Sequence, residues 1–214
     1  MPDDQRFSWT RFRETPIIGI LRGLAPSVCT RIAGVCADTG YYTLEVTMNT
    51  RGAEGIIATL RNRFPQLNVG AGTVCNLEDY ERALAAGAQF IVTPVLDEEV
   101  ILGAVAEDIP VFPGAYTPTE IYRAWSLGGS AVKVFPAGQL GPGYLRDVAG
   151  PLGEVRLLPT GGVDRDNIRS YFEAGAYGVG MGSGLLDKEM IKDEDYRALR
   201  QHFADVRSRI EDLL

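Results

Sequence analysis

Short apolar, β-branched runs recur along the 214 residues, each followed by a stretch in which apolar positions return every three or four residues. The runs are PIIGIL (Pro16–Leu21), YTLEVTM (Tyr42–Met48), LNVGAGTV (Leu67–Val74), QFIVTP (Gln89–Pro94), IPVFPG (Ile109–Gly114), AVKVFP (Ala131–Pro136), VRLLPTGG (Val155–Gly162) and YGVGMG (Tyr177–Gly182). Successive starts lie roughly 20 to 26 residues apart, the length of one strand–helix unit with short loops. Amphipathic stretches such as EDYERALAAGA and RDNIRSYFEAGA fall between them, each reaching a Gly suited to a helix C-cap. Eight such units predict an α/β protein, a single-domain (β/α)8 TIM barrel over residues 1–214. An open, doubly wound sheet is the alternative, but GAGTVCN after the third run is not the G-x-G-x-x-G fingerprint of dinucleotide binding. The first fifteen residues are expected to form a helical segment over the barrel's bottom, and residues 194–214 the final helix.

Two of the runs break the apolar pattern. In AVKVFP, Val132 and Val134 share one face and Ala131, Lys133 and Phe135 the other, so an ammonium points where the chain is least wet. Burying it without a partner costs several kcal/mol in practice. The choice of residue sharpens the point: of 21 basic residues 18 are arginine, and the lysines are Lys133, Lys188 and Lys192. Arginine keeps its proton in a protein, whereas a desolvated lysine can become a neutral, nucleophilic amine. In YTLEVTM, Leu44 and Val46 alternate with Thr43, Glu45 and Thr47, which turns Glu45 inward in the same way. The second and sixth strands of an eight-strand ring face each other, so Lys133 and Glu45 are expected to converge. A buried structural ion pair is the bland alternative, and such pairs are seldom net stabilising.

Composition narrows the classes. A formal net charge of −7 argues against nucleic acid and anionic membrane as partners, while leaving small anionic substrates open. The opening MPDDQRFSWTRFRETP lacks the apolar core of a signal peptide, and no run reaches membrane-spanning length, so a cytoplasmic protein is expected. Cys29, Cys36 and Cys75 lack metal or redox spacing and read as reduced core thiols. The single histidine, His202, falls in a helical C-terminal stretch and reads as an exposed helix residue. No cofactor and no metal are expected, and catalysis falls to carboxylates, hydroxyls, backbone groups or the lysine.

Barrel enzymes place their chemistry at the C-terminal ends of the strands. There the sequence sets Arg22, Asn49, Thr73, Lys133 with Phe135, Thr160–Gly161–Gly162, and Gly182–Ser183. Glycine-rich turns after the seventh and eighth strands are common phosphate sites, because their N–H groups can approach an anion; each alone also serves a tight turn. A helix is expected to start near Asp164.

Taken together, GILRG, TLEVTMNT, VGAGTV, AQFIVTP, VKVFPA, PTGGV and GMGS resemble the 2-keto-3-deoxy-6-phosphogluconate (KDPG) aldolases and their 6-phosphogalactonate and 4-hydroxy-2-oxoglutarate relatives, over roughly residues 16 to 186. The resemblance implies a homotrimeric, metal-independent class I aldolase that yields pyruvate and D-glyceraldehyde 3-phosphate. It implies Lys133 as the Schiff-base residue, Glu45 as general acid/base, Thr73 on the pyruvate carboxylate, and Phe135 beside the imine. The PTGG and GMGS turns would hold the phosphate. Asn49 stands where many gluconate-type members carry a carboxylate-binding arginine; Asn49, ILRG and the LGPGYL loop look more like the galactonate branch, and Thr160 more like the gluconate branch. A phosphate-binding isomerase without a covalent step and a non-catalytic sugar-acid-binding barrel are the rival readings.

Overall fold

The computed structural model describes residues 6–214; the first five positions of the expected N-terminal helical segment lie outside the described residues. The strands are β1 (Ile17–Leu21), β2 (Thr43–Thr47), β3 (Asn68–Gly72), β4 (Ile91–Val92), β5 (Val111–Phe112), β6 (Gly114–Ala115), β7 (Val132–Val134), β8 (Leu157–Pro159) and β9 (Val179–Met181). All pairings are parallel, in the orders β5-β4-β3-β2-β1-β9 and β6-β7-β8, and a bridge from Thr160 to Gly180 joins the β8 and β9 ends. This is an α/β fold whose parallel sheet curls in TIM-barrel-like fashion. The fifth apolar run supplies two pieces. Pro113 has no N–H to give, so the ladder breaks there: β5 pairs with β4, and β6 pairs with β7.

Alternation sorts the strand residues into two apolar groups. Leu44, Val46, Val132 and Val134 pack outward with the helices. Ile18, Phe90, Val92, Phe112, Ala131 and Leu158 pack inward with Phe7 and Phe12. The helix α1 (Trp9–Glu14) is capped by the Ser8 hydroxyl and buries Phe12. Asn68, the first residue of β3, fixes the approach: its side chain accepts from the Ser8 N–H at 2.8 Å and donates to the Ser8 carbonyl at 3.0 Å. Phe12 then stacks near Phe112 and Tyr177, with ring centroids 6.2 and 5.7 Å apart, among the residues that open the strands. Aromatic packing of this kind fills the lower interior, leaving the polar positions to the upper end.

Three expectations are corrected. The helix expected near Asp164 is α8 (Ile168–Glu173), because the Asp164 carboxylate accepts from the N–H groups of Asp166 and Asn167 and folds residues 164–167 into a turn. The LGPGYL segment lies in a helical stretch, α7 (Ala137–Ala149), interrupted at Gly141, whose φ of 72° stops the helix before Pro142. The last helix is α10 (Tyr196–Ser208), followed by one short 3-10 turn. Among the described residues no helix is long and apolar enough to cross a membrane.

Replacing Phe12 by Ala removes a fully buried ring, so the variant should lose about 3–5 kcal/mol of stability. Urea unfolding followed by circular dichroism measures this; a midpoint unchanged from that of the parent protein would show that the aromatic cluster carries no such load.

Candidate active site

Lys133 is only 2% exposed and Glu45 only 1%, the former at the centre of β7 and the latter at the centre of β2. Each shapes the other's ionisation. Burial lowers the affinity of Lys133 for its proton, the Glu45 charge opposes this, and the Arg22 guanidinium adds to the lowering. Burial raises the Glu45 carboxyl above its ordinary range, while Lys133 and Arg22 hold it down. The Lys133 ammonium lies 5.1 Å from the centre of the Phe135 ring. Glu45 Oε1 has no hydrogen-bond partner among the described residues, and a buried acceptor left open in this way marks a place for a ligand or a water.

The backbone of β3 makes room for that carboxyl. A β-carbon on Gly72 would lie 2.5 Å from Cδ of Glu45 and nearer still to Oε1. Only glycine lets the carboxylate lie flat against the neighbouring strand. The next residue, Thr73, has φ of 56°, a region β-branched residues seldom adopt, and its hydroxyl accepts from the Arg22 guanidinium at 3.3 Å. The end of β3 therefore turns Thr73 toward Arg22, which extends from the end of β1.

A cavity of about 770 Å³ opens above the pair. Lys133, Phe135, Arg22 and Thr160 line it together with Gly161, Gly162, Gly182 and Ser183. The two glycine turns direct their carbonyls away from it. Gly161 O accepts from Gly138 N–H at 2.7 Å, Gly162 O from the Asn167 amide at 2.8 Å, and Gly182 O from the N–H groups of Leu185 and Leu186. By contrast, the N–H groups of Gly162, Ser183 and Gly184 meet no acceptor among the described residues. Gly161 and Gly162 hold φ of 84° and 80°, and a β-carbon on Gly162 would lie 2.7 Å from the Cα of Gly138. The arrangement is a set of free donors suited to an anion.

Of the residues the sequence singled out, only Asn49 stands apart: it is exposed in the turn after β2 and does not line the cavity. Glu45 and Thr73 are not wall residues of the cavity either, yet Glu45 is charge-coupled to Lys133 and Thr73 is bonded to Arg22. Two other expectations change. Cys29 and Cys36 are buried thiols, but Cys75 is exposed, because the chain leaves β3 at Thr73 and carries it to the surface. His202 is half-buried rather than exposed, with Nε2 3.0 Å from the Gly184 carbonyl. Sequence reasoning passed over Gly72, whose signal is the contact with Glu45, and Lys188 and Lys192, both of which line the cavity. Their signal is the rarity of lysine in this chain. Among the described residues no group of three or more His, Cys, Asp or Glu side chains could hold a metal ion.

Comparisons with known proteins bear on this geometry. The 2-dehydro-3-deoxy-6-phosphogalactonate aldolase of Escherichia coli (strain K12) is 34% identical over 172 residues, 79% of this chain and 84% of that protein. A KHG/KDPG aldolase of the same organism is 35% identical over 158 residues, 73% of this chain and 74% of that one. A solved structure described as native KDPGal aligns with a TM-score of 0.87 at 28% identity, covering 97% of this chain and 98% of that one. The KDPG aldolase of Legionella pneumophila, captured with pyruvate as a covalent carbinolamine, aligns with a TM-score of 0.82 at 27% identity, covering 92% of this chain and 96% of that one. The family described as KDPG and KHG aldolase matches residues 9–202, and with nearly the whole chain inside that match, the protein belongs to this family of aldolases.

Proposed function

We propose that the protein is a metal-independent class I aldolase that cleaves 2-dehydro-3-deoxy-6-phosphogluconate to pyruvate and D-glyceraldehyde 3-phosphate. One observation carries the reading: a buried, mutually coupled Lys133–Glu45 pair with an open carboxylate oxygen beneath an anion-suited cavity. The desolvated amine of Lys133 attacks the C2 ketone, and Glu45 moves the protons that carry the carbinolamine to the imine with loss of water. Glu45, or a water it holds, then takes the proton of the C4 hydroxyl. The C3–C4 bond breaks, its electrons pass into the protonated imine, and the aldehyde departs from an enamine. Protonation at C3 and hydrolysis of the imine release pyruvate and restore the lysine. Phe135 walls the imine, and Arg22 with Thr73 takes the carboxylate in the role that Asn49 does not fill. The glycine turns at Gly161, Gly162, Gly182 and Ser183 take the phosphate.

Thr160, buried on the cavity wall, favours the gluconate epimer. The Arg22–Thr73 bond and the outlying Asn49 favour the 6-phosphogalactonate epimer as a second reading, and 4-hydroxy-2-oxoglutarate is a third substrate to compare. We read the chain as one cytoplasmic (β/α)8 domain with α1 over the lower end, and as a homotrimer. Support for assembly comes from the exposed Val95, Leu102, Val105, Tyr116 and Tyr122, which cluster along the segment from β4 to α6 (Pro118–Ser126).

Borohydride added with pyruvate should inactivate the enzyme and leave one reduced pyruvate adduct on Lys133, read by peptide mass spectrometry. An adduct on Lys188 or Lys192 instead would refute the assignment. Coupled pyruvate release from both phosphorylated epimers and from 4-hydroxy-2-oxoglutarate should give the gluconate epimer the highest kcat/KM. Because burial lowers Lys133, the lysine-dependent rise in kcat/KM with pH should come below the ordinary lysine range.

Glu45→Gln should slow turnover by roughly 10²–10⁴, the range for general acid–base catalysis, with little change in KM. Gly72→Ala displaces the same carboxyl and should lower kcat at least about tenfold in a folded protein. If Gly72 acts through Glu45, the double variant should be no slower than Glu45→Gln alone. Multiplied losses in the double variant would show that Gly72 acts elsewhere.

Light scattering should give a mass three times the 23.3 kDa of one chain, and Leu102→Glu should shift it to one. A parent protein that scatters as a monomer contradicts the trimer.

A further inference from the structure

All three lysines of the chain line one cavity, whereas of its 18 arginines only Arg22 does so. Lys133 is engaged by the chemistry of the proposed reaction, so what Lys188 and Lys192 do there is a separate question. They belong to the short helix α9 (Lys188–Lys192), which sits at the rim directly after the glycine turn that follows β9. The position of α9 is fixed from below. Leu185 and Leu186 are buried and donate their N–H groups to Gly182 O, and the Asp187 carboxylate accepts from the N–H groups of Glu189 and Met190. The two rim lysines are not equivalent. Lys192 is ion-paired with Glu189 at 3.5 Å, while Lys188 takes part in none of the ion pairs formed among the described residues.

The charge balance of the cavity gives Lys188 a purpose. A phosphate held by the free N–H groups of Gly162, Ser183 and Gly184 would bring nearly two negative charges beside the Asp164 carboxylate, which lines the same space. Amide donors supply partial charges only. Arg22 is occupied with the Thr73 hydroxyl, Lys133 becomes the imine, and Lys192 is partnered. Lys188 is the cation that remains. Its exposure suits the task, because a mobile point charge with three donors can meet an anion that must also leave.

We propose that Lys188 is a substrate-binding residue that contacts the distal phosphate and sets the preference for 6-phosphorylated over unphosphorylated 2-keto-3-deoxy acids; this rests on the aldolase reading above. The test compares kcat/KM for the two substrates at low and high salt, in the parent protein and in Lys188→Ala, Lys188→Arg and Arg63→Ala. The last removes one positive charge from α3 (Ala53–Arg63), outside the cavity. Lys188→Ala should reduce the phosphorylated-to-unphosphorylated ratio about tenfold at low salt, through KM, as expected for one solvent-exposed contact to a charged group. Lys188→Arg should restore most of the ratio, and raising the salt should shrink the gap between parent and Lys188→Ala. An unchanged ratio in Lys188→Ala, or the same fall in Arg63→Ala, would overturn the proposal. Borohydride trapping of pyruvate, which needs no phosphate, separates the two levels. An adduct on Lys133 with an unchanged ratio in Lys188→Ala defeats the role of Lys188 alone. Absence of the adduct in the parent protein defeats the aldolase reading and the proposal with it.

Discussion

Desolvation of two opposite charges inside one curled sheet is the constraint on which this structure turns. Removing an ammonium and a carboxylate from water costs several kcal/mol each after relaxation, and their attraction returns that only when the surroundings are fitted to them. The fit is visible in three places. Gly72 gives the Glu45 carboxyl a bare backbone to lie against, the Phe135 ring faces the Lys133 ammonium, and Arg22 biases both groups from the end of β1. Beneath them Phe7, Phe12, Phe90 and Phe112 pack the interior. The lower apolar layer keeps water from reaching the pair through the strand starts, so the aromatic packing and the perturbed ionisation belong to one arrangement.

Much of this was legible in the sequence because period-2 alternation carries depth. Lys133 between Val132 and Val134, and Glu45 between Leu44 and Val46, announce inward charges before any fold is known. The strand runs are equally plain, since apart from these inward polar positions they are mostly apolar, as a parallel sheet covered by helices requires. What stayed hidden depends on contacts distant in sequence. A glycine inside a strand is ambiguous on its own, and Gly72 acquires meaning only from a carboxyl 27 positions earlier in the chain. The split of the fifth strand at Pro113, the late start of α8 and the half-burial of His202 against Gly184 were hidden for a second reason. Each is decided by one or two hydrogen bonds, or a missing donor, that outweigh the periodic signal.

The two ends of the cavity differ in kind. At the inner end the groups are side chains fixed by burial: Lys133 and Glu45 leave almost no surface, and Thr73 is held in a backbone conformation that its branched side chain disfavours. At the outer end the donors are backbone N–H groups on glycine turns, followed by exposed side chains on α9. A change at the inner end disturbs a coupled pair and the strands that carry it. At the outer end, a change alters a contact and little else.

That asymmetry bears on why relatives named for different substrates stand at similar distances from this chain: 34% identity to a 6-phosphogalactonate aldolase and 35% to a KHG/KDPG aldolase. Nearly equal identity to the two does not separate their substrates, so any difference falls to individual contacts. C4 epimers differ in one hydroxyl orientation, and between the two ends of the cavity Thr160 and Phe135 share the wall. Thr160 is itself positioned by a glycine: a β-carbon on Gly180 would lie 2.9 Å from its Cγ2. Thr160 is therefore seated by the neighbouring strand, as Glu45 is by Gly72. In both cases a buried polar side chain lies against a glycine of the strand beside it, where any larger residue would collide with it.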